Sequence, residues 1–145
     1  MTNNKGYYIN DKGEKVIIDS QDYIDLSNKN IVELILPSGI IEVWCSSNQI
    51  TGLILPSGIK DVYCDNNQLK ELILPSGIEY VWCYNNQLKE LILPPGVKNV
   101  SCENNNITGL ILPSGIQTVY CDDDAIDDPM IYKDWDADIK IYFYK

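Results

Sequence analysis

Residues 59–77 read IKDVYCDNNQLKELILPSG, and close copies of this segment recur along the chain at a fixed step of 19 residues. Each copy carries a valine and a cysteine two places apart, followed by turn-forming residues, a leucine cluster, a proline and a glycine. The five copies are marked by Cys45, Cys64, Cys83, Cys102 and Cys121. One 19-residue coil cannot bury its own apolar side chains, whereas stacked coils can, so the repeat predicts a solenoid.

The local pattern indicates how each coil is folded. In Val62-Tyr63-Cys64 the side chains alternate, so valine and cysteine face inward and the residue between them faces solvent. The asparagines, proline and glycine that follow favour turns. Stacked copies then form a parallel inner sheet with a strand spacing of about 4.8 Å. The outer segment, residues 72–75 in this copy, is too short and too rich in Leu, Ile and Pro for a helix. We predict that it is extended and forms a second, narrow row of strands.

The repeat resembles a known family. Its first part, I-x-x-V-x-C-x-x-N-x-L in residues 59–69, is similar to the signature of leucine-rich repeat proteins. The proline after the second leucine cluster resembles the bacterial LP subclass, and the resemblance extends over roughly residues 21–131. It implies a short, mostly β horseshoe with little or no helix on the outer side. It also implies protein recognition rather than catalysis, although a fold does not determine the partner.

The chain is predicted to form one domain, 1–145, with a cap at each end, because terminal coils would otherwise expose core and open strand edges. Residues 1–20 form the N-terminal cap, a hairpin over residues 7–18 that turns at residues 10–13. Residues 21–126 form the repeats, of which the first copy is degenerate, with Lys29 in place of the asparagine. Residues 127–145 provide a capping strand, with Ile139, Ile141 and Phe143 on one face.

Charge limits the choice of partner. The chain has 11 lysines, no arginine and 21 acidic residues, for a formal net charge of −10. Direct binding of nucleic acid or an anionic membrane needs basic patches, so we expect neither. A protein with a basic surface is the expected partner. The alternative is an acidic mimic of nucleic acid that inhibits a nucleic-acid-binding enzyme, for example a phage anti-defence protein.

No targeting segment is evident in the sequence. The first ten residues are polar, and no apolar run approaches the roughly 18 residues that cross a bilayer. Five cysteines is an odd number, which fits poorly with a fully paired secreted framework. We expect a cytoplasmic protein of a bacterium, or of the host cell if a phage or virus encodes it.

The cysteine and asparagine ladders are interpreted as structural. One thiol per coil forms a line rather than the clustered spacing of a metal site, so the cysteines are predicted to be small buried hydrophobic residues. The asparagine three places after each cysteine is predicted to satisfy buried backbone groups. Histidine is absent from the chain, and no catalytic constellation is evident. We therefore expect no enzyme activity and no cofactor.

Acidic clusters leave calcium binding as an alternative. Residues 122–124 and 127–128 are all aspartates, which offer the oxygen ligands that Ca²⁺ prefers. Asp134, Asp136 and Asp138 resemble the start of an EF-hand loop. That loop needs glycine at its sixth position, where this chain has Ile139. Solvated acidic turns are the favoured interpretation.

The solvent side of the inner sheet is where the copies differ from one another. Exposed aromatic residues surrounded by carboxylates are typical of a binding hot spot. The simpler alternative is that the aromatic side chains only stabilise the sheet through cross-strand contacts. Trp82, Tyr84 and Tyr63 are predicted to cluster there. The candidate partner-binding residues are Trp44, Tyr63, Trp82, Tyr84, Tyr80, Tyr120, Glu42, Asp61, Asp65, Glu103 and Asp122.

Overall fold

The computed structural model describes residues 5–19, 22–128 and 138–145, which form ten β-strands and no helix. None of these residues therefore belongs to a helix long and apolar enough to span a membrane. The strands are β1 (Gly6–Asn10), β2 (Lys15–Ile18), β3 (Asp22–Asp25), β4 (Ile31–Ile35), β5 (Ile40–Trp44), β6 (Asp61–Tyr63), β7 (Tyr80–Trp82), β8 (Asn99–Ser101), β9 (Thr118–Asp122) and β10 (Lys140–Tyr144).

The inner sheet has seven parallel strands in the order β10-β9-β8-β7-β6-β5-β3. Neighbouring repeats pair one full period apart, so Val43 lies opposite Val62 and Val62 lies opposite Val81. The degenerate first copy joins the sheet through Ile24, which pairs with Val43. The predicted architecture, a mostly β solenoid with a parallel inner sheet, is confirmed.

The core runs as parallel columns through the coils. The repeated valines and cysteines are essentially inaccessible to solvent, and the leucines of the outer segments close the coils from the other side. All five thiols are free and buried, as the sequence predicted. Burial raises the pKa of Cys45 and of Cys121 to about 12. The thiols are therefore packing groups that keep their protons at neutral pH.

The outer side is extended, as predicted, but the row of strands expected there is incomplete. Within the described residues it consists of β4 and a single bridge between Ile35 and Ile54. Each outer segment soon ends at a proline such as Pro75, whose nitrogen cannot donate a ladder hydrogen bond. The remaining outer segments stay extended without forming regular strands.

The N-terminal hairpin covers the outer side of the first coil. Strand β1 pairs antiparallel with both β2 and β4, in a separate sheet ordered β2-β1-β4. The contact is close, since a Cβ atom at Gly6 would lie 2.3 Å from the carbonyl oxygen of Ile35. At the opposite end of the stack, β10 adds to the inner sheet beside β9.

Strand β10 only partly contributes to the core. Ile139 and Ile141 pack against the core, but Phe143 remains exposed on β10, which is the edge strand of the inner sheet within the described residues. Asp134 and Asp136 of the EF-hand-like stretch lie outside the described residues. Among the described residues, no group of three or more acidic or cysteine side chains is arranged to hold a metal ion.

Candidate functional site

The asparagine ladder holds the inner sheet in register. The amide nitrogen of Asn86 donates hydrogen bonds to the carbonyl oxygens of Cys64 in the preceding coil, at 3.1 Å, and of Cys83 in its own coil, at 3.0 Å. Its amide oxygen accepts a 2.9 Å hydrogen bond from the backbone nitrogen of Leu69. The equivalent asparagines, Asn48, Asn67 and Asn105, repeat this arrangement. The predicted structural role is therefore confirmed.

Backbone conformation determines which residue types occur at a second position of each repeat. The position two places after each cysteine has a φ of 54–57° in four consecutive repeats, in the left-handed region that asparagine tolerates best among non-glycine residues. These residues are Ser47, Asn66, Asn85 and Asn104. Their similarity reflects the turn geometry.

We call the solvent side of the inner sheet the concave face and divide it into three rows. The leading row precedes the repeated valine and contains Glu42, Asp61, Tyr80, Asn99 and Thr118. The middle row lies between valine and cysteine and contains Trp44, Tyr63, Trp82, Ser101 and Tyr120. The trailing row follows the cysteine and contains Ser46, Asp65, Tyr84, Glu103 and Asp122.

The middle row forms an aromatic column. The ring centroids of Trp44 and Tyr63 are 4.7 Å apart, as are those of Tyr63 and Trp82. Tyr80 extends this cluster sideways, with its ring centroid 6.0 Å from that of Trp82. The side chain of Trp44 is 42% exposed, so the column presents a flat apolar surface to solvent. The clustering of Tyr63 with Trp82 agrees with the sequence prediction, although Trp44 rather than Tyr84 completes the stack.

Carboxylates of the leading row flank this column. The indole nitrogen of Trp44 donates a hydrogen bond to Glu42, which fixes the tilt of the ring. Asp61 lies on the neighbouring strand, opposite Glu42. Partial burial, followed by repulsion from Glu42 and Glu79, raises the pKa of Asp61. A cation that approached this part of the concave face would therefore be attracted, because its charge would offset the repulsion between these carboxylates.

The two lysines beside the leading row are already engaged. Lys98 forms an ion pair with Glu79, and the ammonium nitrogen of Lys60 lies 3.7 Å from the same carboxylate. Lys60 also donates a 3.0 Å hydrogen bond to the carbonyl oxygen of Gly77. These contacts direct both positive charges towards Glu79 and leave Glu42 without a lysine partner among the described ion pairs.

The trailing row changes the predicted role of Asp65. We expected an exposed rim carboxylate, but its side chain is only 6% exposed. It accepts a 2.6 Å hydrogen bond from the hydroxyl of Ser46 and a 2.7 Å hydrogen bond from the amide of Asn66. Partial burial, and then the neighbouring carboxylate of Asp65, raise the pKa of the Tyr84 hydroxyl. Asp65 therefore anchors the trailing row, because one carboxylate oxygen accepts from Ser46 of the preceding coil and the other from Asn66 of its own coil.

Asp122 is likewise engaged. Its carboxylate accepts hydrogen bonds from the backbone nitrogens of Asn104, at 2.8 Å, and Asn105, at 3.0 Å. It thereby satisfies the turn of the preceding coil. Glu103 accepts a 2.8 Å hydrogen bond from the hydroxyl of Ser101 and stays partly exposed. Of the three trailing carboxylates, Glu103 is the one best placed to meet a partner.

Two tyrosines of β10 belong to the same face, and sequence reasoning missed them. Tyr142 pairs with Tyr120, and their stacked ring centroids are 4.7 Å apart. The ring of Tyr144 lies 6.3 Å from that of Tyr120. The alternation of residues 140–144 could have revealed them, because Tyr142 and Tyr144 lie on the side of the strand opposite Ile141.

An exposed isoleucine column on the outer face was also missed. The middle residue of each L-I-L segment points to solvent, and four of the five are at least 75% exposed. These residues are Ile35, Ile54, Ile73, Ile92 and Ile111. The alternation of L-I-L predicts their direction, and five isoleucines at outward positions are the signal that could have revealed the column.

No protein-family model matches the chain, and a search of the curated proteins gave no match. Similar solved structures do exist. The leucine-rich repeat domain of a Shigella effector is 30% identical, with a TM-score of 0.67, over 70% of this chain and 49% of that one. The functional domain of InlJ from Listeria monocytogenes, which includes a cysteine ladder, is 23% identical, with a TM-score of 0.64, over 68% of this chain and 24% of that one. YopM from Yersinia enterocolitica is 22% identical, with a TM-score of 0.60, over 69% of this chain and 28% of that one. This chain thus spans about half or less of the length of each.

Proposed function

Because this chain is a leucine-rich repeat protein, we propose that it is a non-catalytic recognition module whose concave face binds a protein with a basic surface. The observation that carries the proposal is the column of Trp44, Tyr63 and Trp82, which stays accessible at the solvent side of the sheet. Aromatic side chains in the middle of a surface are the residue class that contributes most to binding hot spots.

The charge around the column supports a basic partner. Glu42 and Asp61 lie beside the aromatic rings, and the nearby lysines are directed towards Glu79. A lysine or arginine of a partner can stack on an indole ring and reach a carboxylate with the same side chain. The net charge of −10 would also accelerate the approach of a cationic surface.

The second candidate is an acidic inhibitor that occupies the nucleic-acid groove of an enzyme. It is favoured by the same net charge and by exposed aspartates at positions 123, 124, 127 and 128. Such a mimic needs charge spread over its surface, whereas the first candidate needs an aromatic anchor. Salt dependence and competition with DNA or RNA would distinguish the two. In either case we propose a cytoplasmic setting, with which the five free thiols are compatible.

The test compares two surfaces of the same molecule. The immobilised wild-type chain, a Trp44→Ala variant and an Ile92→Ala variant are each incubated with lysate of the native host, and retained proteins are identified by mass spectrometry. The retained protein is then purified and its affinity for each chain is measured by calorimetry.

The proposal requires that the partner bind the wild type and Ile92→Ala equally and lose at least about tenfold in affinity for Trp44→Ala. A loss confined to Ile92→Ala would move the interface to the outer face. Displacement of the partner by DNA, with a steep salt dependence and no effect of Trp44→Ala, would favour the mimic.

A further inference from the structure

A single serine interrupts the aromatic column. Ser101 on β8 pairs with Trp82 on one side and with Tyr120 on the other, where every other middle-row residue from β5 to β10 is aromatic. Two strand spacings, or about 9.6 Å, separate the strands that carry the flanking rings. A planar group inserted midway would lie about 4.8 Å from each ring, close to the 4.7 Å found within the stacked pairs.

The gap at Ser101 opens into a cavity of about 520 Å³. Trp82 and Tyr84 line one side, Tyr120 and Tyr144 line the other, and Ser101 lies at the bottom, only 5% exposed. All four aromatic side chains belong to strands or turns of the inner sheet, so the cavity walls are part of the repeat framework. We call this cavity the serine slot.

The polar atoms of the serine slot are mainly acceptors. Glu103 contributes a carboxylate, and the hydroxyl of Ser101 is already engaged as a hydrogen-bond donor to it. At the leading end, the side-chain oxygen of Asn99 is buried and has no hydrogen-bond partner among the described residues. A buried acceptor without a donor is costly, and a ligand that supplies N–H groups would relieve this cost.

These features together select one kind of occupant. It must be planar to fit between two rings, rich in donors to meet the carboxylate and the amide oxygen, and positively charged to suit an acidic molecule. The guanidinium group is planar, carries five N–H donors and no acceptor, and stacks on aromatic faces. An ammonium group has the charge without the plane, and an aromatic ring has the plane without the charge.

We infer that the serine slot is a receptor for an arginine side chain of the protein partner, whose guanidinium completes the column between Trp82 and Tyr120 and donates to Glu103. This inference rests on the proposed recognition function and names the chemistry of one anchor.

The probe for the test is N-acetyl-arginine amide, titrated into the ¹⁵N-labelled full chain and followed by NMR. The slot predicts a dissociation constant in the millimolar range, with the largest shifts at Ser101, Glu103 and the indole of Trp82. N-acetyl-citrulline amide has the same shape without the charge, and N-acetyl-lysine amide has the charge without the plane. Both should bind at least about fivefold more weakly. Equal binding of either analogue, or shifts centred elsewhere, would overturn the assignment.

Substitutions test the slot from three directions. Ser101→Tyr places a ring in the gap, extends the existing stack and should weaken the probe at least about tenfold. Glu103→Gln removes the carboxylate and should weaken it about fivefold, whereas Glu90→Gln on the outer face, matched in charge, should leave affinity unchanged. Tyr120→Leu removes one flat wall without filling the gap and should weaken the probe even if Ser101→Tyr fails to fold.

The partner itself separates this inference from the proposed function. A partner that loses affinity on Trp44→Ala and retains full affinity on Ser101→Tyr would refute the arginine slot and leave concave-face recognition standing. A partner unaffected by either change would refute both. Loss of at least about tenfold on each change, with arginine-specific binding of the probe, supports both.

Discussion

The side-chain amide of Asn86 is hydrogen-bonded to the carbonyl oxygen of Cys64, 22 residues earlier in the chain, at 3.1 Å. This contact joins one coil to the next from inside the turn. Each asparagine of the ladder performs the same task for its own pair of coils, so the spacing of the strands that carry the concave face depends on it.

Replacing Asn86 with alanine should therefore be strongly destabilising. The change leaves the backbone nitrogen of Leu69 without its partner inside the protein. It also removes one of the two side-chain hydrogen bonds to the carbonyl oxygen of Cys64, which keeps the bond from Asn67. The expected cost is about 2 kcal/mol. Lys89→Ala, on the exposed outer side of the same coil, should cost under about 0.5 kcal/mol. Urea unfolding monitored by circular dichroism measures both. Equal losses would mean that the ladder does not hold the coils together.

Ser47→Asn should stabilise the chain. Ser47 has a φ of 57°, and the next three repeats place asparagine in this conformation, which it tolerates better than serine. The expected gain in free energy of unfolding is about 0.5 kcal/mol. Ser38→Asn, in an exposed turn without a positive φ, is the matched control and should change nothing. A gain in the control alone would contradict the conformational explanation.

The thiols should make stability fall in alkaline solution. Unfolded cysteine ionises near pH 8.5, whereas burial raises the pKa of Cys45 and Cys121 to about 12 and that of Cys83 well above its usual value. Because the unfolded state loses protons that the folded state keeps, the free energy of unfolding decreases as pH rises from about 8.5 towards 12.

The variant Cys83→Ala isolates this effect from the titration of tyrosines and lysines. Its free energy of unfolding should fall less steeply than that of the wild type, by about 1.4 kcal/mol per pH unit near pH 10. Urea unfolding at pH 7, 9 and 10 gives both slopes. Identical slopes would show that the Cys83 thiol ionises equally in the two states.

Asp65 is predicted to act on stability. Asp65→Ala removes the acceptor for Ser46 and Asn66, and should lower the free energy of unfolding by about 2 kcal/mol. Asp123→Ala, at an exposed position, is the control and should have little effect. If Asp65→Ala instead kept full stability and weakened partner binding, Asp65 would be a partner-binding residue and not a structural one.

Trp82→Ala should affect partner binding more than stability. Loss of its stacking on Tyr63 and Tyr80 is expected to cost about 1 kcal/mol of stability. Binding of the partner should weaken by about 2 kcal/mol or more, the level of a hot spot. Calorimetry on the folded variant, with Ile92→Ala as the outer-face control, separates the two effects. Unchanged affinity together with a large loss of stability would mean that the aromatic column stabilises the sheet and does not contribute to partner binding.

The 19-residue repeat was sufficient to predict the coil, the parallel sheet and the inward ladders. The alternation of Val62 and Cys64 and the position of Asn67 depend only on contacts within one repeat or with its neighbour. Such contacts recur with the period, so the sequence displays them directly. The aromatic middle row followed by the same rule, because Tyr63 must point away from the core if its neighbours point into it.

Tertiary structure decided the relationships that do not recur with the period. Tyr142 lies beside Tyr120 at a separation of 22 residues, so counting in steps of 19 could not place it. Asp65 and Glu103 occupy equivalent places in the repeat, yet Asp65 is buried and hydrogen-bonded to Ser46 and Asn66, while Glu103 is bonded to Ser101 and stays partly exposed. The burial of a side chain on the concave face depends on which residues stand on the two neighbouring strands. That is a property of the assembled sheet, because strand pairing brings together residues that no single repeat contains.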